Sequence, residues 1–239
     1  MSSLPWRHPL DAIVDRPRRE AVFAVAAAWC AFIAGAIAGG EVEDPASLAL
    51  AGVIGAALVF IGFAAASRCR TLSRRVTVQR SRLAVLSLAA GTALGVANLA
   101  ANWLIAALDL RLRALLVERM ATLEPLEAVV ASPLMEEVAV RLFLMSVMAW
   151  VVFRFTKRAG LAFAIALVGS AFFFALLHLG RPFPDNPGLA NTYRAALMTK
   201  YTLAGVPLGW LFWRWGLPYA ILCHVAANAA HLALQGSLF

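Results

Sequence analysis

Charged residues are scarce in this sequence: Asp, Glu, Lys and Arg make up only 14% of its 239 residues, while 62% are hydrophobic. Soluble domains carry about 25% charged residues, so the composition argues against a water-soluble core and indicates a membrane protein. Acidic residues are scarcer than basic ones, with 13 Asp and Glu against 21 Lys and Arg. The positive excess clusters between apolar runs, and no nucleic-acid-binding module is visible. We therefore expect lipid headgroups beside the arginines, and no nucleic-acid partner.

Cysteines are few as well. The three present, Cys30, Cys69 and Cys223, form an odd number without C-x-x-C spacing, so no disulfide framework is predicted. The first twenty residues lack the short apolar core and small-residue cleavage site of a signal peptide. We expect the first apolar span to be retained as a membrane anchor.

Long apolar runs dominate what is present. Windows of about 20 apolar residues, the length that crosses roughly 30 Å of hydrocarbon, predict seven spans. They lie near 21–39, 46–66, 83–108, 127–153, 159–179, 196–213 and 217–235. The segment 109–127 alternates apolar and charged residues at helical spacing, as in a helix that lies in the interface. The predicted fold is an all-α polytopic transmembrane bundle of about seven or eight helices.

Small residues predict where two of these helices pack closely. Gly91 with Gly95, and Gly205 with Gly209, make G-x-x-x-G spacings in apolar stretches. This spacing allows two helix backbones to approach, and it is weak evidence for a dimer. The oligomeric state is left open.

The arginines predict an orientation. With the N-terminus in the cytoplasm, most basic residues fall on the cytoplasmic side, including the six arginines of "SRCRTLSRRVTVQRSR", whereas the first external loop, "GGEVEDPAS", has none. The Ala- and Arg-rich composition is typical of a bacterial protein. We expect a multi-pass protein of the bacterial inner membrane, with a cytoplasmic N-terminus.

One span carries three ionisable residues within six positions. Each charge at the bilayer centre costs about 3 kcal/mol, so Glu136, Glu137 and Arg141 need compensation. Glu137 and Arg141 are spaced i, i+4 with the acid first, which favours an ion pair. Glu136 points about 100° away from Glu137 on an α-helix, and we expect it to lack a partner on its own helix. Another helix must then receive it.

Polar residues on the last helices are candidates to receive it. His178 ends the fifth span, with Phe174 one turn before it, and the last span carries His224, Asn228 and His231 on one stripe. A lone buried histidine is more often structural than catalytic. A set that includes two histidines, an asparagine and a glutamate on three helices favours function, because leucine would cost less at each position.

Such a centre suits hydrolysis of a peptide bond by water. A base must activate the water, and donors must stabilise the oxyanion on the attacked carbonyl. Glu136 and His178 are the candidate activators. The Asn228 amide and a His224 N–H lie one turn apart and are the candidate oxyanion donors.

Three motifs together carry a family resemblance. "EEVAVR" reads E-E-x-x-x-R, "FALLH" reads F-x-x-x-H and "HVAAN" reads H-x-x-x-N, all within roughly 125–235. In this order they resemble the CAAX protease and bacteriocin-processing (CPBP, or Abi) family of intramembrane proteases, related to the Ras-converting CAAX endopeptidase. The resemblance implies a glutamate-dependent endopeptidase without metal or other cofactor. It implies catalytic roles for Glu136, His178, His224 and Asn228, and supporting roles for Glu137, Arg141 and Phe174.

The same resemblance suggests a division of the chain. We expect a cytoplasmic segment over 1–20, N-terminal transmembrane helices with the interfacial segment over 21–120, and a CPBP-like catalytic core over 121–239. The partners expected are a peptide or membrane-protein substrate and the lipid bilayer. The motifs do not select the substrate, its prenylation, the pathway or the side of the membrane to which the site opens.

Two alternatives compete with this interpretation. Zinc could be held by some of Glu136, His178, His224 and His231, although H-E-x-x-H is absent. A proton-coupled transporter could use Glu136 with a histidine relay, and a scaffold could retain the fold without activity. No pair of broken helices in two halves is visible, and no motif residue is missing, so hydrolysis is favoured.

Overall fold

The chain folds into helices throughout the part that the structure, a computed structural model, describes: residues 45–68, 80–121, 125–179 and 187–235. Within these ranges there are seven helices and no strand, which confirms the prediction of an all-α membrane bundle. We number the helices α1 Pro45–Arg68, α2 Arg80–Leu108, α3 Leu110–Ala121, α4 Glu127–Thr156, α5 Ala159–Leu177, α6 Pro187–Trp215 and α7 Leu217–Gln235. The predicted span 21–39 lies outside the described residues.

Four of the described helices, α2, α4, α5 and α7, are long and apolar enough to cross a membrane. Helix α1 contains a shorter apolar stretch, Gly52–Ala66. Helix α6 begins nine positions before the predicted span, because the polar turns that include Asn191 and Arg194 continue the helix although they are not apolar.

The ambiguous segment after α2 forms a separate short helix. Helix α3 has 12 residues and is about 18 Å long, too short for some 30 Å of hydrocarbon. Leu112 and Leu116 are buried, while Arg111 and Arg113 are exposed. One apolar face and one charged face are what an interfacial helix requires.

Helix α4 changes its winding twice. Two π-helical segments, Glu127–Ala131 and Glu137–Met145, flank a single α-helical stretch, Ser132–Glu136. Hydrogen bonds from i to i+5 widen a helix, and such segments are frequent at functional sites. The change from α to π winding falls between Glu136 and Glu137.

The contacts divide the chain into two compact units. Of the first unit, the structure describes residues 45–68 and 141–166. Here α1 packs against the last turns of α4, and a methyl group at Gly62 would overlap the backbone at Leu142.

The second unit contains α2, α3, the first part of α4, the end of α5, and helices α6 and α7. Its most extensive packing joins α2 to α7. A Cβ at Gly91 would overlap the carbonyl oxygen of Cys223, and one at Gly95 would overlap that of Ala227. The predicted G-x-x-x-G spacing thus serves packing within the chain, and it sets the position of α7.

Candidate active site

A cavity of about 140 Å³ lies within the second unit and collects most of the polar side chains that the sequence singled out. Its lining includes Ser132, Glu136, Phe174, His178, His224, Asn228 and His231. These residues come from the first third of α4, the end of α5 and the part of α7 from His224 onward. The four predicted catalytic side chains therefore face one space.

The Glu136 carboxylate is partly exposed to this cavity and lies between two imidazoles. Its Oε1 is 3.9 Å from His178 Nε2, and its Oε2 is 3.7 Å from His224 Nε2. Both distances exceed a direct hydrogen bond, and a bridging water suits gaps of this size.

Glu136 has a partner on its own helix. Ser132 Oγ donates to Glu136 Oε1 at 2.7 Å, one turn earlier on α4. The expectation that Glu136 lacks such a partner is wrong. The i, i+4 spacing of a hydroxyl and a carboxylate was the available signal for this contact.

His178 follows the end of α5 and is held by that helix. Its Nδ1 lies 2.8 Å from the carbonyl oxygen of Phe174. A carbonyl oxygen only accepts, so Nδ1 carries the proton. A neutral His178 then presents an unprotonated Nε2 to Glu136.

His224 is bound by the second carboxylate of α4. Its Nδ1 lies 3.0 Å from Oε1 of Glu137, which is completely buried. The sequence predicted an ion pair between Glu137 and Arg141. It did not indicate the contact with His224, because the two residues are 87 positions apart. The two adjacent glutamates therefore reach opposite nitrogens of one imidazole.

Asn228 joins α7 to the first π-helical segment of α4. Its Nδ2 donates to the carbonyl oxygen of Ala128 at 2.7 Å. A carboxamide nitrogen has two N–H groups, so one is left beyond this bond. The contact fixes the amide at the cavity wall.

The predicted supporting residues are buried. Phe174 contacts His178 with 4.6 Å between ring centroids, and it meets the His224 ring edge-on at 5.9 Å. Arg141 is the largest side chain among the fully buried ones. The pairing of Arg141 with Glu137 stays a prediction.

Sequence reasoning missed a second polar group on the same cavity. Tyr201 stacks on His178, and Lys200 donates to Asn102, which in turn contacts His231. Asn102 lies one turn after Asn98 in an apolar helix, which is the signal that could have shown it. The partners on α6 have no comparable sequence pattern.

The candidate zinc ligands are not arranged as in a catalytic zinc site. In the described ranges, no group of three or more His, Cys, Asp or Glu side chains could hold a metal ion. His231, one of the candidate ligands, places its Nε2 3.4 Å from Asn102 Nδ2. A catalytic zinc normally uses three protein ligands, and the described residues do not supply them together.

Comparison with known proteins gives a family match over part of the chain. Residues 118–230 match the family described as "Rce1-like: Type II CAAX prenyl endopeptidase Rce1-like". The segment contains all three motifs and confirms the resemblance that they predicted. Neither the curated proteins nor the solved structures contain a match.

Proposed function

Since residues 118–230 match the Rce1-like family of type II CAAX prenyl endopeptidases, we propose that this protein is an intramembrane endopeptidase that uses a carboxylate-activated water. The observation that carries the proposal is the Glu136 carboxylate, which faces Nε2 of both His178 and His224 at the wall of a cavity. An acid and two imidazoles from three helices are costly in an apolar bundle, and hydrolysis uses each of them.

Glu136 and His178 activate the water in this proposal. The carboxylate and the unprotonated Nε2 of His178 are both acceptors, and a water between them donates one O–H to each. This arrangement turns a lone pair of the water oxygen toward the substrate carbonyl. As the oxygen attacks the carbonyl carbon, Glu136 takes the proton, which is general-base catalysis.

His224 and Asn228 stabilise the resulting oxyanion. In this proposal His224 acts as an imidazolium: its Nδ1–H donates to Oε1 of the buried Glu137, and its Nε2–H donates toward the cavity. The second N–H of Asn228 Nδ2 is the other donor.

Collapse of the tetrahedral intermediate completes the reaction. The C–N bond breaks, the proton on Glu136 passes to the leaving nitrogen, and the products are a carboxylate and an amine. Glu136 returns to its ionised form, so the cycle consumes only water and one peptide bond.

The setting of this chemistry is a membrane. The described helices include four long enough to span it, and we place the protein in the bacterial inner membrane with a cytoplasmic N-terminus. Its substrates are peptides or membrane-associated proteins whose cleavage site reaches the cavity.

The proposal is tested by mapping new protein termini. Membranes are incubated with purified wild-type protein or with Glu136→Gln, and N-terminal peptides are quantified by mass spectrometry. Glu127→Gln is the matched control, because Glu127 is an exposed acid on the same helix. We expect termini that require Glu136 and persist in Glu127→Gln.

A chelator arm separates two kinds of hydrolysis. Glu136-dependent termini that survive a strong chelator support the carboxylate mechanism, and their loss with chelator favours a metal. If wild-type protein and Glu136→Gln give the same termini, the endopeptidase proposal fails and a transporter or scaffold is favoured.

A further inference from the structure

The hydrolytic groups use only part of the cavity wall. Beside them lie Tyr201 and Lys200 of α6, Asn102 of α2 and His231 of α7. The mechanism above gives none of these side chains a role. These side chains form a continuous series of contacts that begins at His231 and ends at His178.

The first contact in this group is made by the proposed base. The rings of His178 and Tyr201 are stacked, with centroids 4.0 Å apart and planes 25° from parallel. Tyr201 also meets Phe174 edge-on at 6.2 Å, so both aromatic side chains that contact His178 contact each other.

His178 needs such support because of its place in the fold. Helix α5 ends at Leu177, and His178 lies in the turn that follows, with its backbone N–H donated to Ala175. The contact from Nδ1 to the carbonyl oxygen of Phe174 fixes one ring atom. A stacked ring fixes the plane, and the plane determines where Nε2 points.

Tyr201 is linked to two other helices through its neighbour Lys200. Lys200 Nζ lies 4.6 Å from the centroid of the Tyr201 ring and donates to Asn102 Oδ1 at 2.6 Å. Asn102 is buried, and its Nδ2 lies 3.4 Å from His231 Nε2. Side chains from α7, α2 and α6 thus form a series of contacts that ends at the Tyr201 ring.

We infer that Tyr201 is a positioning residue for His178, and that Lys200, Asn102 and His231 fix the Tyr201 ring. The inference rests on the proposed function, since it assigns Tyr201 to the base of that reaction. Misplacement of a catalytic group by about 1 Å costs roughly 10²-fold in rate. The ring of Tyr201 therefore affects turnover without touching the substrate.

Turnover is measured with purified Tyr201→Leu and Tyr201→Phe. The probe is a fluorogenic peptide that carries the most abundant Glu136-dependent cleavage site from the terminus mapping. We expect Tyr201→Leu to lower kcat about 10- to 10²-fold with KM nearly unchanged, and Tyr201→Phe to retain most of kcat because it keeps the ring. Tyr193→Leu is the matched control: Tyr193 is also buried, lies two turns earlier on α6, belongs to the same core, and does not line the cavity.

A double variant separates positioning from general stability. In a His178→Ala background, Tyr201→Leu should cost little more, because its effect passes through His178. An equal fold-loss in both backgrounds would overturn the inference.

A spectroscopic readout is independent of activity. The chain has four histidines, so isotope-labelled imidazoles can be assigned with His178→Gln. Ring currents from Tyr201 should shift the His178 ring protons, and Tyr201→Leu should remove that shift while Tyr201→Phe and Tyr193→Leu keep it. An unchanged His178 signal in Tyr201→Leu would overturn the inference, and so would a changed signal with wild-type kcat. A wild-type protein with the expected shift and without Glu136-dependent cleavage would instead defeat the proposed function, and the inferred role with it.

The contacts that Lys200, Asn102 and His231 make with one another, here called the outer contacts, have a test of their own. Asn102→Leu should lower kcat in the same direction as Tyr201→Leu and by less, with a partial change in the His178 signal. Asn98→Leu is the control, because Asn98 lines the same cavity one turn earlier on α2. Equal effects of the two leucine variants would remove the outer contacts from the inferred role.

Discussion

At the residue scale, Glu136 depends on its neighbours for its orientation. Ser132 donates to one carboxylate oxygen, and His178 and His224 face one oxygen each. The motif spacings predicted that Glu136, His178, His224 and Asn228 meet, because each spacing places its residues on one helix face. They did not predict Tyr201, since a stack between residues from different helices leaves no periodic signal in the sequence. The contact of Glu137 with His224 was hidden for the same reason.

Asn228 gives the first prediction at this scale. Asn228→Ala removes a proposed oxyanion donor, and we expect turnover to fall about 10²- to 10³-fold. The bond to Ala128 is lost as well, at a cost of about 1 kcal/mol, so the protein should stay folded. Peptide cleavage and detergent-phase thermal unfolding are compared with Asn98→Ala, which removes another asparagine from the cavity wall. A loss of tenfold or less would take Asn228 out of the oxyanion role.

Arg141 gives the second prediction at the residue scale. It is fully buried, like Glu137, and the sequence pairs the two at i, i+4. Breaking a buried ion pair on one side costs about 3–5 kcal/mol, so Arg141→Leu should lower the yield of folded protein. Glu137→Leu combined with Arg141→Leu should recover part of that yield, although without activity. Size-exclusion profiles of the purified variants measure the outcome, and normal yield of inactive Arg141→Leu would contradict the pairing.

At the scale of elements, windows of about 20 apolar residues predicted most of the helices. They did not predict how α4 is wound. The ends of α5 and α7 fall within two residues of their predicted limits, because apolar composition ends there too. The π-helical segments of α4 have no counterpart in a pattern read with 3.6 residues per turn. They lie on either side of Ser132–Glu136. The change in winding therefore determines the directions in which Glu136 and Glu137 point. The early start of α6 was missed because its first turns are polar.

The packing of α2 on α7 gives the prediction at this scale. A methyl group at Gly91 would overlap the carbonyl oxygen of Cys223, and α7 carries His224 and Asn228. We expect Gly91→Ala to destabilise the protein by about 1–3 kcal/mol and to lower turnover by displacing α7. Thermal unfolding and peptide cleavage measure both effects. Gly160→Ala is the control, because a Cβ there meets no atom within 4 Å; equal stability of the two variants would contradict the close packing.

At the scale of the whole molecule, the cavity lies toward one set of helix ends. Its lining comes from the second half of α2, the end of α5, α7 from His224 onward and the first third of α4, together with residues of α3 and the middle of α6. If α6 crosses the membrane and α3 does not, the ends of α2, α5 and α7 and the start of α4 share one side. With the predicted cytoplasmic N-terminus and the predicted first span over 21–39, we expect that side to be the outer one.

Labelling of single cysteines tests this orientation. In a background that carries Cys30→Ser and Cys69→Ser, we expect a membrane-impermeant maleimide to label Gln235→Cys, at the cavity, in intact cells. Arg158→Cys, exposed between α4 and α5, should react only after lysis. Buried Cys223 is expected to stay unreacted in both. The reverse pattern would place the cavity on the cytoplasmic side.

The position of Glu136 at a cavity wall also constrains the conformation of any peptide that is cut. In a helix the carbonyl groups are hydrogen-bonded along the axis, and the side chains make the helix about 10–12 Å across. In the proposed reaction a helical segment therefore unwinds locally before its carbonyl reaches Glu136. Among otherwise equal sequences, those with glycine or β-branched residues at the cleavage site unwind at lower cost. The helix propensity of the substrate is then a determinant of selectivity, alongside any side chain that the cavity recognises.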